Sequence, residues 1–318
     1  MTTFEGHFAA NYDGEIADFW QSVLEPLATG SVVVDLATGN GAVALLAAAW
    51  ARGEGVDLAI TGVDSATIGK EQVRSARPEL GSDLDDIALV GNTPLEATGL
   101  ATASVDLVTS QYGYEYGDTA AGSIETARIL KPGGRLAMVL HNTESAILKQ
   151  AHEGLAQVAF CLDEERMLSL AQRMVKMFRA LKAGGQGPGG LHWSPGALKV
   201  REALIDASER IEKRANTPVA RSTDAGFIQF FLPSVMQLAE RAREFDTATL
   251  EGAWRSIEAE TETYRHRMAD LRSAALDEAG IARVASELET AGLEDIVYTP
   301  LIYRQVTLIG WKLTANKA

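Results

Sequence analysis

The chain has 318 residues, 46% hydrophobic and 23% charged, which is the composition of a soluble globular protein and excludes fibrous, disordered and disulfide-scaffold architectures. One cysteine, Cys161, allows no internal disulfide, and five histidines without thiolate partners argue against a structural zinc site, so no metal and a reducing, cytoplasmic setting are expected. A net charge of −14 repels a phosphate backbone, and neither a basic, apolar leader nor eighteen consecutive apolar residues occur, so no nucleic-acid partner, export signal or membrane span is expected.

The first element is an amphipathic stretch from about Asp13 to Leu27. SVVVDL then reads as a buried strand, followed by a glycine-bearing turn and an Ala/Leu-rich helix, which together make a βα unit. The pattern repeats. Asp57 to Val63 reads as a second strand ending at Asp64, Lys70 to Ala76 as a helix, and IALVG as a third strand near Gly91. Ser104 to Ser110 reads as a fourth strand, Ala120 to Leu130 as a helix, and Arg135 to Leu140 as a fifth strand after the turn KPGG. Alternating short apolar strands and helices predict a mostly parallel sheet covered on both faces.

After His141 the pattern turns to long, charge-interleaved helical segments: Ser145 to Lys182, Pro195 to Ala215, Phe227 to Phe245 and Thr249 to Glu278. A loop with five glycines and one proline, Gly184 to Gly190, interrupts them; followed by His192 and Trp193, it suits either a gate or a surface connection. A short helix, Ile281 to Ala291, and two strands, DIVYTPLIY and QVTLIGWKL, close the chain. Two regions are therefore expected: a sheet-bearing core of residues 1–145 and 280–318, and a helical cap of residues 146–279. The cap holds 18 Lys+Arg against 19 Asp+Glu, leaving 11 against 24 elsewhere. Ligands of open α/β sheets bind at the carboxyl ends of the strands, so an insertion after the fifth strand is placed to act as a lid.

The loop Asp35-Leu36-Ala37-Thr38-Gly39-Asn40-Gly41 puts small residues where backbone must approach a ligand and begin a helix. Gly39, Gly41 and Ala44 also satisfy G-x-G-x-x-G/A, so a dinucleotide site with Asp64 on the ribose stays open. Plain structural roles stay open too: Asp35 and Asp64 suit caps, and Asn92 suits a turn before Pro94.

VVVDLATGNG resembles the first motif of class I S-adenosylmethionine-dependent methyltransferases, an Asp at the end of strand one followed by a glycine-rich turn. Ala37 replaces the motif's first glycine, a departure shared with methyltransferases of ubiquinone and menaquinone biosynthesis. ITGVDSA, IALVGNTPLE, SVDLVTSQYGYEYGD and ARILKPGGRLAMVL resemble the later motifs in order, and HFAANYDGEIADFW resembles the helix with Tyr12 that such enzymes fold over the cofactor. The resemblance covers about 145 residues plus the last two strands. It implies a Rossmann-like, seven-stranded, mostly parallel methyltransferase sheet with a large helical cap inserted after strand five.

It also implies S-adenosylmethionine as cofactor and S-adenosylhomocysteine as product. Asp64 would accept the ribose hydroxyls, Gly39, Gly41 and Ala37 would let backbone pass near the methionine part, and Asp35 would order the loop and balance the ammonium. Asn92 would meet the adenine amine, with Thr93 or Leu95 beside it, and Gln111 would reach the amino-acid moiety. The implied reaction is in-line methyl transfer to a small-molecule acceptor. A protein or tRNA methyltransferase and a non-catalytic cofactor-binding module are the alternatives, and a homodimer is left open.

Methyl transfer needs an aligned acceptor, and a general base is optional. His141, at the end of strand five, and Glu115, after strand four, are the acid–base candidates, each with a plain buried or solvated alternative. Tyr112, Tyr114 and Tyr116 suit pocket walls, because an ordinary phenol is protonated at neutral pH. Phe227 and Phe231 suit either acceptor lining or inter-helix core.

Overall fold

The computed structural model describes residues 13–76, 84–183, 194–223 and 226–318. The chain divides into two compact units, Met1–Ala146 with Ala274–Ala318 and Ile147–Ser273. Helix α1 (Gly14–Leu24) leads into β1 (Ser31–Leu36), α2 (Ala42–Glu54), β2 (Leu58–Val63), α3 (Lys70–Ala76) and β3 (Ile87–Val90). Then come β4 (Val105–Gln111), α4 (Thr119–Ile129) and β5 (Leu130–Leu140). The insertion carries α5 (Ala146–Ala159), α6 (Met167–Ala183), α7 (Pro195–Ala215), α8 (Pro218–Thr223), α9 (Phe227–Arg241) and α10 (Thr247–Ala274). Helix α11 (Glu278–Thr290), β6 (Leu293–Tyr303) and β7 (Thr307–Lys317) complete the first unit.

The first unit is built on one seven-stranded sheet in the order β3-β2-β1-β4-β5-β7-β6. Strands β1 to β5 pair in parallel, and β7 runs antiparallel to both β5 and β6. Alternation along the strands puts successive side chains on opposite faces. Val33, Leu107, Ala137 and Val139 pack with Ile16 and Trp20 of α1 and Val43 and Ala47 of α2. Val34, Val108, Leu136 and Met138 pack with Ile129 and with Ile281, Val284 and Leu288 of α11. Both faces of the sheet are thus covered by helices, and its central strands bury apolar residues on both sides.

From β1 the chain steps outward through β2 to β3, then crosses back to lay β4 on the other side of β1. The strand order reverses between β1 and β4, so a crevice opens at their carboxyl ends. At the same edge the stems of the insertion are fastened together. Leu276 donates its N–H to the His141 carbonyl (2.9 Å) and accepts from Thr143 N (3.2 Å) and Trp311 Nε1 (2.9 Å). Asp277 then caps α11, its Oδ1 accepting from Gly280 N at 2.8 Å.

The helical unit departs from the expected elements in four places. The single helix expected over Ser145 to Lys182 is two helices, because α5 runs into a π turn at Phe160–Glu164 and α6 begins after Arg166, which lies at φ 53°. The π turn is held by a two-pronged pair in which Arg210 Nε and Nη2 each donate to Glu165 at 2.7 Å. The segments expected to end at Phe245 and Glu278 stop at Arg241 and Ala274, and the short α8 had no periodic signal.

Phe227 and Phe231 are corrected from acceptor lining to core: both are fully buried, their rings stacked 5.1 Å apart among Phe230, Tyr264, Trp254 and Cys161 of the same unit. Burial pushes the Cys161 thiol up to about 12, which makes it an inert core residue. Truncating a packed aromatic core residue costs about 3–5 kcal/mol. Phe231→Ala is therefore expected to lower the urea midpoint of the helical unit, with Phe231→Leu falling between it and the parent. Equal midpoints for all three proteins would show that the ring is not core.

Candidate functional site

Asp35, next to last in β1, is a buried carboxyl, 1% exposed. Thr109 of β4 donates to its Oδ1 at 2.8 Å and Thr38 of the following loop donates to Oδ2. Burial pushes its pKa up to about 6, the two threonine hydroxyls pull it down, and the nearby Asp64 adds a smaller push upward. The loop then turns through three left-handed residues, Ala37 (φ 51°), Gly39 (φ 56°) and Gly41 (φ 78°), the last forming the N-cap of α2. Thr38 donates its N–H to the Val63 carbonyl and packs on Gly62, where an added Cβ would lie 2.6–2.9 Å from its side chain.

Asp64 follows β2 and faces this loop. Its Oδ2 accepts from Gly39 N at 2.7 Å and its Oδ1 from Ala66 N at 2.8 Å. A cleft of about 500 Å³ opens here, within the range of small-molecule sites, lined by Ala37, Gly39, Asp64, Tyr112, Gly113 and Tyr116 among others. Glu96, Leu95 and Ser65 complete the wall. Nothing lies within 4 Å of a Cβ placed on Gly39, so its backbone is open to a ligand.

The other expected cofactor residues stand behind or beside the cleft. Gly41 is buried as a helix cap. Asn92, at φ 54°, accepts from the Thr67 hydroxyl (2.9 Å), and Thr93 N donates to the Asp64 carbonyl (2.8 Å), so both fasten the exit of β3 to the Asp64 turn. The side-chain oxygen of Gln111 accepts from Trp20 Nε1 at 2.7 Å, tying β4 to α1. Tyr12, Gly184 to Gly190, His192 and Trp193 lie outside the described residues.

Tyr114 is corrected from pocket wall to core. It is fully buried, its hydroxyl 3.2 Å from Ser123 Oγ under α4, and burial pushes its pKa up to about 12. The 3₁₀ turn Tyr114–Tyr116 explains the difference, since it swings Tyr116 outward to join Tyr112 while Tyr114 and Glu115 turn in.

Behind the two cleft tyrosines lie Glu115 and His141, 7% and 5% exposed. Glu115 Oε1 accepts from the His141 backbone N–H at 2.6 Å. The His141 ring stacks on Tyr112 with centroids 4.5 Å apart and meets Tyr116 edge-on at 6.0 Å. Glu115 Oε2 and His141 Nδ1 are buried without a hydrogen-bond partner. Burial pushes the carboxyl up to about 7 and the imidazole down to about 4. Among the described residues no cluster of His, Cys, Asp and Glu could hold a metal ion, and no helix is long and apolar enough to cross a membrane.

Sequence reasoning missed Gly113 and Glu96. Gly113 approaches Ala37 so closely that an added Cβ would sit 2.7 Å from the alanine Cβ and 2.9 Å from its carbonyl oxygen. The glycines and tyrosines of QYGYEYG were its only local sign. Glu96 Oε1 accepts from Asp118 N at 2.7 Å, bridging the loops after β3 and β4 at the cleft.

A 3-2-1-4-5-7-6 sheet with an antiparallel seventh strand, a glycine-rich turn after β1 and an acidic residue after β2 is the class I methyltransferase fold. Residues 34–138 match the family described as a methyltransferase domain, about a third of the chain. No curated protein matches. Among solved structures, geranyl diphosphate C-methyltransferase from Streptomyces coelicolor A3(2), in complex with Mg2+, geranyl diphosphate and S-adenosyl-L-homocysteine, is 22% identical over 40% of this chain and 45% of its own, with a TM-score of 0.33. A geranyl diphosphate methyltransferase bound to GPP and sinefungin is 24% identical over the same shares, at 0.33. The YcgJ protein of Bacillus subtilis is 18% identical over 66% of this chain and 87% of its own, at 0.35. The chain spans about half the length of the first solved structures it matches.

A non-glycine residue in the left-handed region costs about 1–2 kcal/mol, and Ala37 is held there against Gly113. Ala37→Gly is therefore expected to be neutral or stabilising, and Gly113→Ala destabilising. The double variant should recover part of the Gly113→Ala loss, because the two α-carbon faces collide. Additive melting temperatures across this cycle would show that they do not touch.

Proposed function

We propose that the chain is an S-adenosylmethionine-dependent methyltransferase of the cytoplasm acting on a small-molecule acceptor. The observation that carries this reading is the cleft at the strand-order reversal, where an open Gly39 faces Asp64 across a turn. Its donor set suits such a cofactor. Asp64 and Glu96 line the cleft and Asp35 lies under its loop, an acidic surround that attracts a ligand bearing a sulfonium and an ammonium.

Asp64 keeps lone pairs for two ribose hydroxyls beyond the bonds it already accepts. Leu95 offers an apolar wall to the adenine, with Asn92 and Thr93 at the neighbouring turn. The bound cofactor supplies an electrophilic methyl group, and the protein's task is to hold an acceptor in line with it. Tyr112 and Tyr116 are read as the acceptor side of the cleft. The shared departure at Ala37 belongs to the cofactor loop, so the likeness to ubiquinone and menaquinone enzymes does not extend to the acceptor.

S-adenosylhomocysteine is expected to bind in calorimetry and NADH not to bind. Hydrogen bonds to a charged partner contribute about 1.5–3 kcal/mol, so Asp64→Asn should weaken S-adenosylhomocysteine about 10- to 100-fold without unfolding the protein. Unaltered affinity would remove Asp64 from the site, and binding of NADH alone would replace the proposal with a dehydrogenase.

The pH dependence follows from Asp35. Its folded-state pKa of about 6 lies above the unfolded value, so the native state holds the proton more tightly, and the carboxyl's effect on stability declines as pH rises through about 6. A ligand ammonium favours the ionised form. Affinity for S-adenosylhomocysteine should therefore rise from pH 5 to pH 7, with proton release on binding at the lower end. A flat profile with no proton release would take Asp35 out of ammonium recognition.

A further inference from the structure

We propose that Glu115 Oε2 and His141 Nδ1 form a polar anchor for the acceptor, and that the acceptor presents to them a neutral hydroxyl on a flat, unsaturated body, a phenol or enol. This rests on the methyltransferase reading of the cleft and extends it to the acceptor.

Leaving a buried polar atom unpaired is costly, and native proteins keep such atoms few and usually for a reason. Here two of them fall on residues already joined to each other, through the bond from His141 N to Glu115 Oε1. They come from separate elements, one from the turn after β4 and one from the end of β5. Neither residue lines the cleft itself: His141 lies flat against Tyr112 and meets the edge of Tyr116, two rings that form part of the cleft wall, and Glu115 is joined to His141 through its backbone N–H. A ligand group from the cleft reaches this pair only by passing those rings.

The chemistry of this pair selects what it can hold. An anion would face a carboxyl and the acidic residues Asp64 and Glu96, with no compensating cation among the described residues that line the cleft. A cation would need an ionised carboxyl in a place where burial favours the neutral form. The imidazole is neutral for the same reason and so offers no charge to either. A hydroxyl both donates and accepts, which matches a carboxyl and a neutral imidazole in either protonation state. The aromatic faces beside the anchor favour a planar partner, since offset stacking adds to the burial of ring area.

The test uses the full-length protein with S-adenosylhomocysteine present, and phenol as probe. The His141 imidazole is followed by nitrogen NMR and assigned by its loss in His141→Asn. Phenol is expected to move the His141 signal saturably, with anisole, which cannot donate, and benzoate, which is anionic, binding about fivefold or more weakly for want of one hydrogen bond. Glu115→Gln keeps the carbonyl that receives His141 N but replaces the free oxygen with an NH2. It should weaken phenol by a similar factor while S-adenosylhomocysteine affinity stays at the parent value. Equal responses to phenol and anisole in the parent protein would overturn the anchor, as would a Glu115→Gln protein that binds phenol like the parent. Failure of S-adenosylhomocysteine itself to bind would overturn the functional reading instead, and the phenol–anisole contrast can be read without it.

Discussion

A carboxyl buried between β1 and β4 sets the geometry of the whole crevice. Burying an acidic group costs several kcal/mol unless its oxygens are engaged, so Asp35 can sit near the end of β1 only where donors meet it. Thr109 supplies one from the neighbouring strand and Thr38 the other from the loop. Once Thr38 turns back to Asp35, its N–H reaches the Val63 carbonyl of β2 and its methyl fills the space that Gly62 leaves. The next residue, Gly39, is thereby delivered to Asp64. One buried charge thus links three adjacent strands and the loop, and the crevice follows from satisfying it.

The local half of this arrangement was legible in the sequence. Apolar runs closed by Asp35 and Asp64, with glycines between, identify strand, turn and helix because each depends on neighbours along the chain. Helices α3 and α7 begin and end where their periodicity does. The tertiary half was not legible. The Gly113–Ala37 contact joins loops after two different strands, and nothing near either residue reveals the other. The break between α5 and α6 was hidden too: the π turn opens with Phe160, Cys161 and Leu162, which look like more apolar helix, and the left-handed residue is an arginine rather than the glycine that commonly ends a helix. Phe227 and Phe231 illustrate a further limit, because an aromatic pair at helical spacing looks the same whether it fills a core or lines a pocket.

The segment QYGYEYG shows how backbone conformation divides identical side chains between two roles. Tyr112 takes φ 53°, and the following 3₁₀ turn rotates successive residues by roughly a third of a turn each. Residues 112, 113, 116 and 117 therefore face the cleft while 114 and 115 face inward. The glycines are what make this possible. Gly113 lets the segment lie against Ala37, and Gly117 leaves room for Glu96, whose oxygen would lie 2.5 Å from an added Cβ. Two tyrosines become a wall and the third a core residue with its hydroxyl on Ser123, a division that no count of aromatic residues would reveal.

The placement of the insertion follows from the same edge of the sheet. Closing a long excursion costs conformational entropy that grows only as the logarithm of its length, about 0.6 kcal/mol for each doubling, so a sheet tolerates a large insertion if its two stems can be held together. Leu276 does this with three backbone-directed bonds, to His141, Thr143 and the Trp311 indole. His141 is therefore shared: its carbonyl belongs to the stem, its N–H to Glu115 and its ring to Tyr112. Strand β7 pairs antiparallel with β5 beside this stem, and of the residues that close it His141 also backs the aromatic wall of the cleft. The bonds that hold the stems together, from His141 to Trp311, all lie within the sheet-bearing unit, so the strand ends are fixed there without a contribution from the inserted helices.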